Sequence, residues 1–452
     1  MAQQADVVVV GMGVGGEAVA GRLAEAGLSV VGIESRLVGG ECPYWGCVPT
    51  KMMIRAANLL AEARRIDGVA GHAEVAPDWA PVAARIREEA TDDWNDQVAV
   101  DRFTGKGGTF IRGQGRLAGP NVVEVDGESI QARRGVVLAT GTVPVVPPID
   151  GLEHTPFWTN RDAVETKSLP STLLVLGGGS IGLEVAQAFA RFGVDVTVVE
   201  ASDRLLPAEE PEASALVDNA LAADGISIRT GTRAAAVRHD GQQFTVTVGG
   251  GVELTAEKLL VAVGRRAELG ALGLESVGLD PAARAIKVDE HMRAGDGLWA
   301  VGDVTGHGAF THVAMYQSAI AARDILGEAG PPADYRAVPR VTFTDPEVGT
   351  VGMTESDARA KGVQTETGIA QVPSSARGWI HKTGNEGFIK LVVDAEHGVL
   401  VGATSAGPVG GEVLSALAVA VHARVPVGAL RHMIYAYPTF HRGIEDALRD
   451  LG

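Results

Sequence analysis

The chain has 452 residues, which is enough for about three domains. It carries 56 acidic and 39 basic residues, and its formal net charge of -17 argues against a nucleic-acid partner. The apolar stretch at residues 413–422 is too short to cross a bilayer, so we expect a soluble, cytoplasmic protein without a membrane partner.

The N-terminal segment follows the pattern strand, glycine-rich turn, helix, strand, acidic residue. Residues 7–10 are four valines that lead directly into Gly11-Met12-Gly13-Val14-Gly15-Gly16, and because no basic segment precedes them we expect no signal peptide. A helical pattern follows, and then a second strand at 30–33 that ends at Glu34. In a G-x-G-x-x-G turn the glycines let a pyrophosphate approach a helix N-terminus, and the acidic residue accepts hydrogen bonds from the adenosine ribose.

The only two cysteines of the chain come next, close together. Four residues separate Cys42 from Cys47, a spacing at which one helical turn brings two sulfurs to disulfide distance. Pro49 suits the first turn of a helix whose pattern continues over residues 52–65. Cys47 is therefore expected at a helix N-terminus, where a thiolate is favoured. The pattern indicates a redox-active dithiol.

Two other interpretations of the cysteine pair are a pair of buried thiols and half of a zinc site. Zinc usually takes four ligands, with cysteines spaced as Cys-x2-Cys, and the sequence has no second cysteine pair. We therefore expect no metal site. A cytosolic chain that keeps two cysteines in one loop is expected to cycle them between thiol and disulfide.

The nucleotide-binding pattern occurs a second time. Residues 173–176 precede Gly177-Gly178-Gly179-Ser180-Ile181-Gly182, and after a helical pattern the strand 196–199 ends at Glu200. In both copies the acidic residue follows the first glycine by 23 positions (34 − 11 and 200 − 177). One G-x-G-x-x-G is a weak signal because glycine-rich turns are common, but two copies in the same context predict two dinucleotide sites.

Later segments complete these folds and add a third domain. Strands are expected before Ala139-Thr140-Gly141, before Gly264-Arg265 and before Gly302-Asp303. Asp303 then lies at the ligand-binding edge of a doubly wound sheet, or is an ordinary turn or N-cap residue. After residue 332, β-rich segments such as 340–344 and 388–393, with two helices near the end, predict an α+β domain.

Together these motifs resemble the class I flavoprotein disulfide oxidoreductases, which include dihydrolipoamide dehydrogenase, glutathione reductase and mercuric reductase. The resemblance covers the whole chain and includes residues 343–348, which are similar to the opening of the family's dimerisation domain. It implies an α/β fold with two Rossmann-like dinucleotide-binding domains and a C-terminal α+β dimerisation domain. The expected limits are 1–148 with 270–335 for FAD, 149–269 for NAD(P)H, and 336–452 for dimerisation.

The resemblance also implies which residues bind the cofactors. FAD would be held by the first glycine-rich turn with Glu34 and Asp303, and NAD(P)H by the second turn with Glu200. The remaining cofactor-binding residues of the family pattern are Thr140, Gly141, Gly264, Arg265 and Gly302. We expect NADH rather than NADPH, because the Glu200 carboxylate binds a free 2′-hydroxyl and repels a 2′-phosphate; Arg204 is either a nearby charge that softens this repulsion or a solvated surface residue.

The catalytic residues are implied in the same way. Lys51 and Glu184 match an ion pair beside the flavin, with a solvated helix residue as the alternative for Lys51. Electrons would pass from the nicotinamide through the flavin to the disulfide, with Cys47 next to the flavin and Cys42 exchanging with the substrate. The chain would act as a homodimer on a small-molecule electron acceptor.

One segment departs from the family pattern His-Pro-Thr-x-x-Glu. It reads Tyr437-Pro438-Thr439-Phe440-His441-Arg442, so that Tyr437 holds the position of the usual base and Arg442 that of the glutamate. A phenol is a poor base at neutral pH, which puts ordinary disulfide exchange in doubt. If Pro438 and Thr439 open the final helix, His441 lies one turn before Glu445 and can serve as the base; the alternative is an ordinary exposed pair.

We therefore expect an NAD(P)H-dependent reductase of a disulfide or of another thiol-reactive substrate. One alternative is direct reduction of a quinone or similar acceptor by the flavin. A mercuric-reductase-like activity is another, although neither the C-terminal cysteine pair nor the N-terminal metal-binding domain of those enzymes is found in this sequence. A third is the dihydrolipoamide-oxidising member of a dehydrogenase complex.

Overall fold

The structure, a computed structural model, describes residues 3–451; Met1, Ala2 and Gly452 lie outside the described residues. The described chain forms two compact units. The first comprises residues 3–49, 84–145 and 265–335, and the second comprises 50–83, 146–264 and 336–451. The three predicted domain limits stay a prediction. Residues 50–83, which that prediction assigned to the first domain, group with the second unit.

Within residues 3–451 the α-helices are α1 (Val14–Glu25), α2 (Glu41–Tyr44), α3 (Cys47–Arg64), α4 (Ala80–Arg85), α5 (Gln97–Thr104), α6 (Asn160–Glu165), α7 (Ser180–Arg191), α8 (Pro211–Ala223), α9 (Thr311–Leu326), α10 (Glu355–Ala360), α11 (Ala376–His381), α12 (Gly410–His422), α13 (Val427–His432) and α14 (Gly443–Asp450). A π-helical turn, Ile86–Ala90, continues α4. No helix in this part of the chain is both long enough and apolar enough to cross a membrane.

The strands are β1 (Gln3–Val10), β2 (Val30–Glu34), β3 (Thr109–Arg112), β4 (Arg116–Gly119), β5 (Val122–Val125), β6 (Glu128–Leu138), β7 (Val143–Pro144), β8 (Thr172–Leu176), β9 (Asp195–Val199), β10 (Ser227–Arg229), β11 (Ala234–His239), β12 (Phe244–Val248), β13 (Val252–Ala256), β14 (Lys258–Val261), β15 (Arg265–Arg266), β16 (Arg293–Gly295), β17 (Leu298–Ala300), β18 (Pro339–Thr342), β19 (Glu347–Gly352), β20 (Thr365–Gln371), β21 (Phe388–Asp394) and β22 (Val399–Gly407).

The first unit is built on a sheet with strand order β16-β17-β6-β1-β2-β3, to which β5 and β4 are added at β6. The central strand β1 runs parallel to β2 and β6. Val7 and Val9 lie in the apolar cluster on one face of the sheet, and Val8 and Val10 in the cluster on the other. Because both faces are covered, this strand reads as an uninterrupted run of valines instead of alternating with polar residues.

The second unit repeats this arrangement and adds two antiparallel sheets, the three-stranded β11-β12-β13 and a five-stranded sheet. Its parallel sheet has the order β10-β9-β8-β14, which matches β3-β2-β1-β6 of the first unit strand for strand. The predicted internal duplication and the α/β fold class are therefore confirmed. The C-terminal segment forms an antiparallel sheet, β18-β19-β22-β21-β20, with a core of its own.

After β22, the last strand of this sheet, the chain contains three helices, α12 to α14, where the sequence predicted two helices near the end. The additional helix, α13, has only six residues, which is too short for a periodic pattern to be recognised, and of these Val427 and Leu430 pack partly against the core. Helix α12 buries Val413, Leu414 and Leu417 against its own sheet, whereas Val419 on its other face is exposed.

Candidate redox site and nucleotide-binding turns

The two cysteines lie on two consecutive helices of the chain. Cys42 belongs to the four-residue helix α2, and Cys47 is the first residue of α3. The prediction that Cys47 stands at a helix N-terminus is confirmed. The single helical turn predicted to hold both sulfurs is wrong, because the chain leaves α2 at Trp45 and turns at Gly46. A Cβ at Gly46 would lie 3.1 Å from the Glu41 carbonyl oxygen, so this turn is tight against the end of α2.

The two sulfurs have different surroundings. Both cysteines are thiols in the structure, with Cys42 half-buried and Cys47 exposed. The hydrogen bond with Cys47, followed by burial, raises the pKa of the Cys42 thiol far above its ordinary range, against an opposing effect of the Thr311 hydroxyl. Cys47 Sγ lies 3.4 Å from Thr311 Oγ1. The raised pKa favours the protonated form of Cys42, whereas Cys47 has a helix N-terminus and a hydroxyl that can stabilise a negative charge.

The segment that carries the two cysteines, residues 39–47 (the cysteine segment or redox segment), packs directly on the first glycine-rich turn. Gly39 forms a β-bridge with Gly13, and a Cβ added at Gly40 would lie 2.8 Å from the Gly13 Cα. Gly40 also has a φ of 69°, in the region that glycine adopts without strain. The glycines before Cys42 thus bring the redox segment and the nucleotide-binding turn into backbone contact.

Two residues that the sequence did not single out hold this segment at both ends. Asp96 Oδ2 accepts hydrogen bonds from the Val38 backbone N–H at 2.7 Å and from Arg112 at 2.6 Å. Trp94 Nε1 donates to the carbonyl oxygen of Tyr44, the last residue of α2, at 3.3 Å. These contacts link the chain before Gly39 and the chain after Cys42 to one short polar turn.

That turn is conformationally unusual. Asp92, Asp93 and Trp94 have φ values of 48°, 54° and 56°, which makes three consecutive non-glycine residues in the left-handed region. Such a run persists only where its surroundings fix it, and the contacts of Trp94 and Asp96 supply that fixation. The polar sequence Thr91-Asp92-Asp93-Trp94-Asn95-Asp96 carries no periodicity, so only the structure reveals its part in the site.

The first glycine-rich turn has the geometry of a phosphate-binding turn. Gly16 admits no side chain, because its Cβ would lie 1.9 Å from the Gly11 carbonyl oxygen. Helix α1 begins directly after Gly13, so its N–H groups face the turn. Glu34 Oε2 accepts a hydrogen bond from the Met12 N–H at 2.8 Å and thereby ties the end of β2 to the turn.

The second turn reproduces these features with different residues. A Cβ at Gly182 would lie 2.5 Å from the Gly177 carbonyl oxygen, whereas a Cβ at Gly179 would meet nothing within 4 Å. Helix α7 begins directly after Gly179. Glu200 Oε2 accepts a hydrogen bond from the Gly178 N–H at 2.5 Å, and Oε1 accepts one from Ser202. These backbone hydrogen bonds outweigh burial and keep the pKa of Glu200 below its ordinary value.

Asp303 belongs to a polar chain at the carboxyl edge of the first sheet. Its Oδ2 accepts a hydrogen bond from Thr142 Oγ1 at 2.9 Å, and the same Thr142 oxygen accepts one from Arg265 Nε at 2.9 Å. Arg265 also lies 3.7 Å from Glu41, next to Cys42. Burial raises the pKa of Asp303 above its ordinary value. Thr142 was not identified from the sequence. Arg265 falls within the limits expected for the NAD(P)H domain, 149–269, but it groups with the first unit.

Lys51 and Glu184 form the ion pair that the sequence predicted. Lys51 Nζ lies 2.8 Å from Glu184 Oε2, and the glutamate is only 6% exposed. The second carboxylate oxygen accepts the Phe343 backbone N–H at 2.9 Å, and the Lys51 ammonium lies 4.5 Å from the centroid of the Phe343 ring. Lys51 is thus held from two sides and is not a freely solvated helix residue.

The structure of residues 437–443 differs from the sequence-based expectation in where the final helix begins. The final helix begins at Gly443, so the prediction that Pro438 and Thr439 open it is wrong. The Thr439 side chain instead accepts a hydrogen bond from the Arg442 N–H and closes a separate turn before the helix. The His441 ring lies 5.4 Å from the Tyr435 ring, ahead of α14 instead of on it.

Glu445, the residue expected to orient His441, is engaged by arginines. It accepts a hydrogen bond from Arg442 Nε at 3.0 Å and also pairs with Arg449. Tyr437 is 68% exposed, and the Arg442 guanidinium lies 5.2 Å from its ring centroid. The pair Tyr437–Arg442 thus brings together the two positions at which the family pattern has histidine and glutamate.

Comparison with known proteins places this geometry in a family. Residues 5–318 match the pyridine nucleotide-disulphide oxidoreductases, and residues 338–448 match the dimerisation domain of the same proteins. The chain belongs to this family. It is an FAD-dependent pyridine nucleotide-disulfide oxidoreductase, and members of the family use FAD and NAD(P)H.

Individual relatives cover nearly the whole chain. Dihydrolipoyl dehydrogenase of Thermus scotoductus is 34% identical over 99% of this chain and 97% of its own length. Mercuric reductase of Acidithiobacillus ferrooxidans is 33% identical over 98% of this chain and 82% of its own length. Among solved structures, a Cu(II) complex of RclA, an HOCl-induced flavoprotein disulfide reductase from Escherichia coli, superimposes with a TM-score of 0.87 at 27% identity over 99% of both chains.

We expect the Trp94→Phe variant to loosen α2. It removes the hydrogen bond to the Tyr44 carbonyl oxygen, worth about 1 kcal/mol, so amide hydrogen exchange over residues 41–46 becomes about 5-fold faster. Hydrogen-exchange mass spectrometry measures this. The matched control is Trp379→Phe, at a tryptophan that is 75% exposed, which leaves exchange in this segment unchanged. Unchanged exchange in Trp94→Phe would show that the turn does not support the redox segment.

Proposed function

We propose that the protein passes electrons from NADH through bound FAD to Cys42 and Cys47, and from there to a disulfide or another thiol-reactive small molecule. The observation that carries this proposal is the dithiol itself, whose two cysteines have unlike surroundings, one half-buried and one exposed at a helix N-terminus, next to a nucleotide-binding turn. An exposed cysteine at a helix N-terminus beside a second thiol is typical of reactive rather than structural cysteines.

The residues present suit both cofactors. The first glycine-rich turn with Glu34 and Asp303 is suited to FAD, and the second turn with Glu200 to NADH, because each turn places backbone N–H groups at a helix N-terminus. FAD, when bound, carries two electrons between the dinucleotide and the dithiol. Lys51, fixed by Glu184, is proposed as the cation that the family uses beside the flavin.

The sulfur chemistry that we propose is balanced within the dithiol. Cys42, after it has lost its proton, attacks one sulfur of the substrate disulfide, forms a mixed disulfide and releases the first substrate thiolate. Cys47 then attacks Cys42, which closes the protein disulfide and releases the second thiolate. The substrate gains two electrons and ends as two thiols, and the protein dithiol loses the same two electrons; one proton comes from Cys42 and the other from solvent.

Cysteine variants separate this route from direct reduction by the flavin. We expect Cys42→Ser and Cys47→Ser each to lose at least about 100-fold in disulfide reduction with NADH, since exchange needs both sulfurs. Quinone reduction serves as the control, because a direct route leaves it unaffected. In addition, Cys47→Ser loses the long-wavelength absorbance of a thiolate next to oxidised FAD, whereas Cys42→Ser keeps it. Undiminished disulfide reduction in either variant would overturn the proposal.

A soft metal ion is a second candidate acceptor. The specific observation in its favour is Tyr437 in place of the histidine base, which leaves Cys42 without the group that deprotonates it for exchange. One relative is named a mercuric reductase, and one structural neighbour is described as a Cu(II) complex. A metal ion that binds thiolates displaces the proton itself, so it depends less on a base.

The Tyr437→His variant tests how far the missing base limits exchange. We expect wild-type rates with lipoamide and glutathione disulfide to be low and to rise with pH, because the raised pKa of Cys42 keeps it protonated at neutral pH. Tyr437→His raises the rates at neutral pH by about 10-fold or more. His441→Ala, as a comparison, changes them less, and Tyr437→Phe controls for loss of the phenol. Fast exchange by the wild-type protein at neutral pH would contradict this.

The preference for NADH rests on Glu200 and Arg204. Glu200 ends β9, and Arg204 donates to the carbonyl oxygens of Leu206 and Pro207, so its guanidinium is committed to the backbone and not to a 2′-phosphate. We expect kcat/KM for NADH to exceed that for NADPH by about 100-fold, since like-charge contacts cost several kcal/mol. Glu200→Ala reduces this ratio, whereas Asp203→Ala, at an exposed neighbouring carboxylate, preserves it. A preference for NADPH in the wild-type protein would refute the assignment.

We also propose that the protein is a homodimer in the cytoplasm. The match of residues 338–448 to a dimerisation domain supports the dimer. The two cysteines are both assigned to redox cycling, which agrees with a reducing compartment.

A further inference from the structure

We propose that Thr311 is a catalytic residue of the dithiol, whose hydroxyl holds the negative charge on Cys47 and leaves the remaining proton on Cys42. The inference rests on the proposed function of the two cysteines and deepens it. On this inference, a residue outside the cysteine segment determines which of the two cysteines carries the charge and which keeps its proton.

The geometry around Thr311 carries this inference. The Thr311 hydroxyl lies 3.4 Å from Cys47 Sγ, and the same hydroxyl lowers the pKa of the Cys42 thiol, so one side chain acts on both sulfurs. Thr311 is the first residue of the 16-residue helix α9. That helix is anchored further along by Ser318, whose Oγ donates to the Gly15 carbonyl oxygen at 2.8 Å. The hydroxyl is therefore presented to the sulfurs by a fixed element.

The chemistry of the three groups decides where the proton lies. A hydroxyl has one proton to donate, so it can stabilise only one of the two sulfurs at a time. A hydrogen bond to an ionised acceptor is about twice as strong as one between neutral groups, so the hydroxyl proton goes to the charged sulfur. Cys47 begins the long helix α3 and faces the first residue of α9, and two helix N-termini favour negative charge there.

The position of Cys42 agrees with this assignment. It lies in the four-residue helix α2, which has little macrodipole, and it is the more buried of the two sulfurs. Its contact with Cys47 raises the pKa of the Cys42 thiol, and the contact with Thr311 lowers it by less. The net result is one proton on Cys42, one charge on Cys47, and the hydroxyl proton directed at the charge.

The test compares Thr311→Val, which keeps the shape and removes the hydroxyl, with Thr311→Ser, which keeps the hydroxyl. In the reduced holoenzyme we measure iodoacetamide alkylation of each cysteine against pH, resolved by peptide mass spectrometry. The pH titration of the long-wavelength absorbance is followed in parallel. We expect Thr311→Val to move the midpoint of Cys47 alkylation upward by about one pH unit, a roughly 10-fold smaller thiolate fraction below the midpoint. Thr311→Ser stays close to the wild-type midpoint.

The outcomes separate this inference from the proposed function. If wild-type Cys47 shows no thiolate titration, the proposed function of the dithiol fails. If it titrates and Thr311→Val leaves the midpoint unchanged, only the role of Thr311 is overturned. If Thr311→Val does not fold or does not retain FAD, Thr311→Ala against Thr311→Ser gives the same comparison without a buried methyl group. A role limited to packing would alter stability in either variant but would leave the midpoint in place.

Discussion

The backbone contact between the cysteine segment and the first glycine-rich turn is the constraint on which the redox site depends. A side chain at Gly40 would lie 2.8 Å from Gly13, so the two segments approach as closely as backbones can. The turn suited to a pyrophosphate and the segment that carries the sulfurs are therefore held in direct backbone contact. Asp96 and Trp94 complete this arrangement, because one binds the chain before the glycines and the other binds the end of α2.

The two nucleotide-binding folds share the same contact between the acidic residue and the glycine-rich turn. In each copy the carboxylate at the end of the second strand accepts the N–H of the residue after the first glycine, Met12 in one copy and Gly178 in the other. A carboxylate has about four acceptor sites, so Glu34 and Glu200 can shape the turn and still bind a ribose. The acidic residue follows the first glycine by 23 positions in both copies (34 − 11 and 200 − 177), and this equal spacing reflects the fold of the turn as well as its ligand.

Helix α7 holds the ion pair of Lys51 and Glu184 through contacts on successive turns. Glu184 binds Lys51 and the Phe343 N–H, and Gln187 accepts the N–H of Asp345 at 2.7 Å. Arg191, 2% exposed, pairs with Asp345 and with a second aspartate, Asp224. A buried charge that has all its partners is tolerated, but loss of one partner costs about 3–5 kcal/mol. The orientation of Glu184, and through it that of Lys51, is therefore strongly determined.

The sequence by itself determined the features that depend on local pattern. The strands β1 and β8, the two glycine-rich turns, the acidic residues after them and the position of Cys47 at a helix N-terminus all follow from short-range spacing and composition. The pairing of Lys51 with Glu184 was also predictable, because both residues match positions of a family pattern.

Only the tertiary structure decided the contacts made between segments that are distant in sequence. Thr311 reaches the sulfurs from α9, and Trp94 reaches α2 from a polar turn without periodicity, so no local pattern signals either contact. The start of the final helix was mispredicted for a related reason. The Thr439 side chain caps a separate turn, and Glu445 is drawn to Arg442 and Arg449 instead of to His441. Competition among nearby charges depends on distances in space, which sequence spacing does not provide.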